Sequence, residues 1–192
     1  MRLIISLSAL LLSVVLVQIG SGSLGPLDAL SGLTLGFSST QIGYLGSAHF
    51  IGFFIGCVWS PHIVVRAGHA RAFAVMAGIS TISIILHPVY ESVWFWCLLR
   101  VFSGFAVAGA YTVIESWLQS RLTNENRGTV FSIYRMVDMS GTLLSQLIIA
   151  GLTPAHYISY NLVAVVACLA LIPLALTQAT PPALPGLSLI HI

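Results

Sequence analysis

Residues 93–118 read VWFWCLLRVFSGFAVAGAYTVIESWL, an apolar run interrupted by one arginine, Arg100, and one glutamate, Glu115. A helix needs roughly 20 apolar residues to cross the hydrocarbon core of a bilayer, and this run is longer than that. Backbone groups in lipid must bond within their own helix or around a closed barrel. Barrel strands alternate apolar and polar residues, whereas this run, and stretches such as Ile63-Val64-Val65, do not. The segment therefore reads as a membrane-spanning helix with two ionisable groups inside it.

Working outward, comparable runs lie near 3–24, 41–60, 72–89, 129–151 and 156–176, so the expected fold is an all-α integral membrane bundle of six transmembrane helices. The whole chain agrees: 57% of its 192 residues are hydrophobic and only 6% are charged, against about 25% charged in a soluble domain. Its mean hydropathy is +0.99. The bundle is expected over 1–178, with a Pro-rich tail over 179–192. The last residues, Leu187-Ser188-Leu189-Ile190-His191-Ile192, resemble the conceptual translation of a sequencing adapter. They are expected to be foreign to the protein, in which case the natural chain continues past them.

All seven basic residues are arginines. Arg2 precedes the first run, Arg66 and Arg71 separate the second from the third, and Arg121 and Arg127 separate the fourth from the fifth. The other connections carry only Asp28, His87, Glu91 and His156. Short cytoplasmic loops are enriched in Lys and Arg, so both termini of this chain are expected in the cytoplasm, with the bundle in the inner (plasma) membrane. The dispersed arginines offer no patch for nucleic acid. Residues 1–23 could also be read as a secretory signal peptide. Their apolar run is long for that role and no A-x-A-like site follows, so a retained first helix is the preferred reading.

Several features are read as packing. Gly52 and Gly56 form a small-xxx-small pair on the second helix, where small residues let backbones approach closely. Cys57, Cys97 and Cys168 fall within predicted spans and read as apolar packing residues. The stretch from Asp28 to Gln41, rich in Gly, Ser and Thr, is expected to be an exposed turn, and Pro88 and Pro154 to close the third and fifth spans.

The charges inside the spans point to function. On the fourth helix Arg100, Gly104, Ala108, Tyr111 and Glu115 share one face. On the fifth, Arg135, Asp138, Thr142 and Ser145 form a similar stripe, with Gln146 beside it. An ionisable group at the centre of a membrane helix costs at least ~2.5–3.5 kcal/mol, so these faces should point into the bundle or a wet cavity. At ~1.5 Å per residue, Arg135 lies roughly 9 Å and Asp138 about 14 Å from the cytoplasmic edge. Glu115 and Arg135 come within reach of each other if their helices are neighbours. They form either a fixed ion pair or part of a solute or proton path; the deeper Asp138 is weighted towards the path. His49 reads first as a packing histidine and second as a proton relay. The sequence has no HExxH, Cys/His metal spacing, GxSxG or P-loop, so neither a cofactor nor enzymatic chemistry is expected.

The segment Arg100 to Ala108 resembles the R-x-x-x-G-x-x-x-A signature on the fourth helix of the major facilitator superfamily. Arg66-Ala67-Gly68-His69-Ala70-Arg71 is similar to part of that family's cytoplasmic gating motif. Arg66, Gly68 and Arg71 fit, while the motif's glycine falls on Pro61 and its aspartate on Val65. That departure bears on the charge relay that latches the family's closed states. Ile114-Glu115-Ser116, Asn126-Arg127-Gly128 and Tyr134 to Val137, followed by Gly141-Thr142, resemble its YcaD-like bacterial branch. The resemblance implies an N-terminal half of two inverted three-helix repeats. It also implies secondary active transport of a small solute by alternating access, driven by a proton or ion gradient. Arg100, Glu115, Arg135, Asp138, Gln146 and His49 are the expected path residues, and Arg66, Gly68 and Arg71 the gating loop. Transport would require a missing C-terminal half or a second copy of this chain. The alternative is a non-transporting membrane module whose polar stripe binds a partner helix.

Overall fold

The structure is a computed structural model that describes residues 2–176, and all its regular elements are helices. The expected Pro-rich tail over 179–192 lies outside the described residues. The helices are α1 (Arg2–Thr34), α2 (Ser39–Ala67), α3 (His69–Leu86), α4 (Val93–Gln119), α5 (Arg127–Ile149), α6 (Tyr157–Leu169) and α7 (Leu171–Leu176). One 3₁₀ turn, His87–Val89, follows α3 where Pro88 ends it. Pro173, lacking an N–H, leaves the carbonyl four residues earlier without its helical partner, and the last span breaks at Ala170 into α6 and α7.

By length and composition, five spans among the described residues are apolar enough to cross a membrane: Leu7–Thr34, Ser39–Ala67, His69–Val89, Val93–Gln119 and Tyr157–Leu176. The expected fifth span, α5, is long enough at 23 residues but falls short in apolarity. Arg135, Asp138, Thr142, Ser145 and Gln146 all interrupt it.

Two local expectations fail. The first helix continues to Thr34 rather than ending near 24, so most of the expected turn from Asp28 to Gln41 is helical. Leu24 and Leu27 resume the apolar face and are buried, and Asp28 beside them is only 1% exposed. The turn proper is short and is closed by a capping box: Ser38 Oγ accepts from Gln41 N–H while Gln41 Oε1 accepts from Ser38 N–H, satisfying two otherwise orphan donors. The expected gating loop is likewise almost entirely helix. Arg66 lies in the last turn of α2, which ends at Ala67, His69 opens α3, and Gly68 alone joins the two helices at φ +81°, a left-handed conformation that costs glycine little.

Packing follows a simple scheme. α4 lies between α2 and α3; α1 lies between α5 and α6; α3 also meets α6. The α2–α4 crossing is the closest. A Cβ on Gly52 would stand 1.9 Å from the Val101 carbonyl oxygen, and one on Gly104 would stand 2.0 Å from that of His49. Gly56 is similarly pressed against Ala108 and Phe105, so the small-xxx-small pair does bring two backbones together. The apolar core has two centres. One gathers Leu10, Phe73, Ile114, Trp117 and Tyr134, the other Leu27, Trp96, Tyr160 and Val163. Large apolar side chains remain exposed on α2 (Phe50, Phe54, Val58, Trp59) and on α5 (Met136, Met139, Leu143, Leu147).

Candidate functional site

Two polar groups link the helices, one half-buried and one sealed. The first joins α1, α4 and α5. Tyr111 Oη on α4 donates to Asp138 Oδ1 on α5 at 2.7 Å and also contacts Gln18 Oε1 on α1. A phenol has one proton, so Asp138 and Gln18 compete for it. Gln18 Nε2 donates to Thr142 Oγ1 at 2.7 Å, and the Thr142 hydroxyl donates to the Asp138 carbonyl at 3.2 Å. Arg135 Nη1 stands 3.4 Å from Asp138 Oδ2; the arginine side chain is 62% exposed and the aspartate 14%.

The expected pairing of Glu115 with Arg135 is not made. Glu115 Oε1 instead accepts from Tyr134 Oη at 2.9 Å, and the Arg135 guanidinium lies 5.7 Å from the Tyr134 ring centroid while bonding Asp138. The physical reason is packing: α5 is seated on α1 rather than on α4, so the two stripes meet only through their longest side chains. Gln146 is exposed and donates to Ser145 Oγ at 3.4 Å. Ser145 itself is buried against Gly22 of α1.

The second group was not foreseen. Arg100 is brought to Asp28, not to the α5 stripe. Its Nε lies 3.7 Å from Asp28 Oδ2 and 3.5 Å from the Leu45 carbonyl oxygen. Asp28 Oδ1 accepts from Tyr160 Oη at 3.0 Å, and His87 Nε2 approaches Asp28 Oδ2 at 3.4 Å. His87, expected in an external connection, is fully buried. Its Nδ1 bonds the Ser83 carbonyl at 2.7 Å, its own carbonyl accepts from Trp96 Nε1, and its ring stacks on Tyr160. His49 belongs to this end as well: its Nδ1 is 3.4 Å from Ser103 Oγ, which donates to the Arg100 carbonyl. One signal for Asp28 was present in the sequence, since it is the only acidic residue before Glu91.

Arg66 and Arg71 are exposed. Arg66 borders a cleft of about 500 Å³ with Val58, Trp59, His62 and Ile63. Among the described residues neither arginine lies within ion-pair distance of a carboxylate, in keeping with Val65 at the motif's acidic position.

Comparisons with known proteins bear on this arrangement. The "Uncharacterized MFS-type transporter YcaD" of Salmonella newport (strain SL254) is 29% identical over 110 residues, covering 57% of this chain and 29% of that protein. The YcaD proteins of Salmonella heidelberg (strain SL476) and Salmonella typhi match equally well. Among solved structures, a mutant of the nucleoside transporter NupG superposes with a TM-score of 0.71 at 18% identity, over 94% of this chain and 45% of NupG. That likeness is one of fold. The chain thus spans less than half the length of these proteins. The family model described as Major Facilitator Superfamily matches residues 10–189, and with its multi-pass apolar helices the chain belongs to that superfamily.

Proposed function

We propose that this chain is the N-terminal half of a secondary active transporter that moves a small solute by alternating access, coupled to a proton or ion gradient. The observation that carries this reading is the Gln18–Tyr111–Asp138–Arg135 network. It joins three helices of a membrane bundle, it is only partly buried, and its donors and acceptors can exchange partners. An ionisable group at such depth marks a solute or proton path more often than an inert contact.

The packing scheme supports two inverted three-helix repeats. Exchanging α1 with α4, α2 with α5 and α3 with α6 turns the α2–α4 contact into α5–α1 and the α3–α4 contact into α6–α1. Such repeats place the binding site at their interface, near the midplane. In this reading α5 is the sixth span: its 23 residues give roughly 35 Å of helix, and its polar face lines the path. Both termini then lie in the cytoplasm, with Arg66, Arg71, Arg121 and Arg127 on that side. The exposed apolar faces of α2 and α5 meet lipid and a second six-helix half, either a C-terminal continuation or another copy.

The test uses the full-length protein in proteoliposomes carrying an internal pH dye, challenged with organic acids, sugars, nucleosides and cationic drugs. At least one class should move protons, and Asp138→Asn should abolish the signal while the protein still elutes as a folded species in detergent. Full activity of Asp138→Asn would remove Asp138 from the mechanism.

A further inference from the structure

The buried end of the bundle holds a cationic group with unused capacity. Arg100 is 6% exposed. Its Nε faces Asp28 and the Leu45 carbonyl, but its Nη1 is buried without a hydrogen-bond partner. Nη2 lies 3.5 Å from where a Cβ would stand on Gly25, so the glycine leaves that side of the guanidinium open. Next to it is a cleft of about 240 Å³ bordered by Gly25, Ala29, Ile42, Leu45, Gly46 and Arg100. The cleft has one charged wall, and the rest is aliphatic side chain and glycine.

We propose that this cleft is a subsite for a small monocarboxylate with an apolar body. Its carboxylate docks on Nη2 of Arg100, on the Gly25 side, and its binding takes up one proton at the Asp28–His87 pair. The planar guanidinium offers five donors in a fork that suits a carboxylate, and Asp28 occupies only the Nε side. An apolar cavity of about 150 Å³ accommodates benzene, so the volume here suits an acid of benzoate size. The aliphatic lining gives no second cation for a phosphate or dicarboxylate.

Charge balance supplies the proton. Arg100 and Asp28 together are neutral, so an incoming monoanion would leave a net charge in a buried site, which is strongly unfavourable. One proton held between Asp28 Oδ2 and His87 Nε2, 3.4 Å apart, restores neutrality. The other titratable groups facing the cluster are Tyr160 from α6, which donates to Asp28 Oδ1, and His49 from α2, within electrostatic range of both Arg100 and Asp28. Tyr160 keeps its bond whichever form Asp28 takes, because the proton goes to the other oxygen.

This inference rests on the transporter reading only for the route by which the acid arrives. It is tested by calorimetry on the full-length protein in lipid nanodiscs, with benzoate as probe and benzyl alcohol as its neutral counterpart. Benzoate should bind at least about tenfold more tightly than the alcohol, the difference expected of a charge-assisted pair. Titrations in buffers of different ionisation enthalpy should show about one proton taken up per benzoate, with weaker binding as pH rises. Arg100→Gln should abolish binding. Gly46→Leu keeps the question decidable if that variant fails to fold, since nothing lies within 4 Å of a Cβ at Gly46. It should weaken benzoate by about tenfold or more by filling the cleft. Equal binding of the alcohol, no proton uptake, or an unchanged Gly46→Leu would overturn the subsite. Transport of another solute without benzoate binding would sink the subsite and leave the transporter reading intact; benzoate binding without any transport would do the reverse.

Discussion

The bundle contains two arginine–aspartate pairs, and they are built to opposite specifications. Arg100 and Asp28 have side chains 8% and 2% exposed and come from helices far apart in sequence. Arg135 and Asp138 are one turn apart on the same helix, and the arginine is largely open. In a sealed pair each ion depends on the other, because removing one strands a charge away from water. In an open pair solvent or a solute can take the place of either partner. The sealed pair therefore ties α1 to α4, while the Arg135 end of the open pair is within reach of solvent.

The α2–α4 crossing carries the sealed cluster, and at Gly104 it leaves no room for a side chain. Gly104→Leu should destabilise the bundle by about 3 kcal/mol or more, read as loss of the folded peak in detergent. Asp28→Ala should cost about 3–5 kcal/mol by stranding Arg100, seen as a lower thermal midpoint; combining Asp28→Asn with Arg100→Gln should recover much of it. An unchanged midpoint in Asp28→Ala would mean that the cluster is not sealed. Tyr111→Phe removes the donor to the Asp138 carboxylate and should cost about 1.5–3 kcal/mol at most, with a larger effect on transport than on stability. Smallest is Arg135→Ala, at about 0.2–1 kcal/mol. A shift as large as that of Asp28→Ala would erase the distinction between the two pairs.

Asp138 was legible as a charge in need of a polar partner because it sits amid an apolar run, and Tyr111 and Arg135 meet that need. Arg100 was legible for the same reason, but its partner was not. Asp28 follows Gly20, Gly22 and Gly25 and directly precedes a Ser/Gly/Thr-rich stretch, a composition that reads as a turn. His87 sits beside a proline that ends a helix, which reads as a loop. Neither local pattern shows that α6 will place Tyr160 against both. Glu115 and Arg135 illustrate the converse: their spacing and depth allowed a bond, and the seating of α5 on α1 decided otherwise.

Within single helices the sequence thus settles a good deal: that the chain lies in a membrane as a bundle of helices, that Gly52 and Gly56 bring helices close, and that Arg100 is drawn inside, whereas Arg135 stays 62% exposed. These follow from periodicity, length and the cost of exposing charge to lipid, all of which act within a single helix. Which charges become neighbours depends on how the helices pack. A pair such as Asp28 and Tyr160, 132 residues apart, is set by how whole helices seat on one another, and small residues at crossings such as Gly52, Gly104 and Gly22 control that seating.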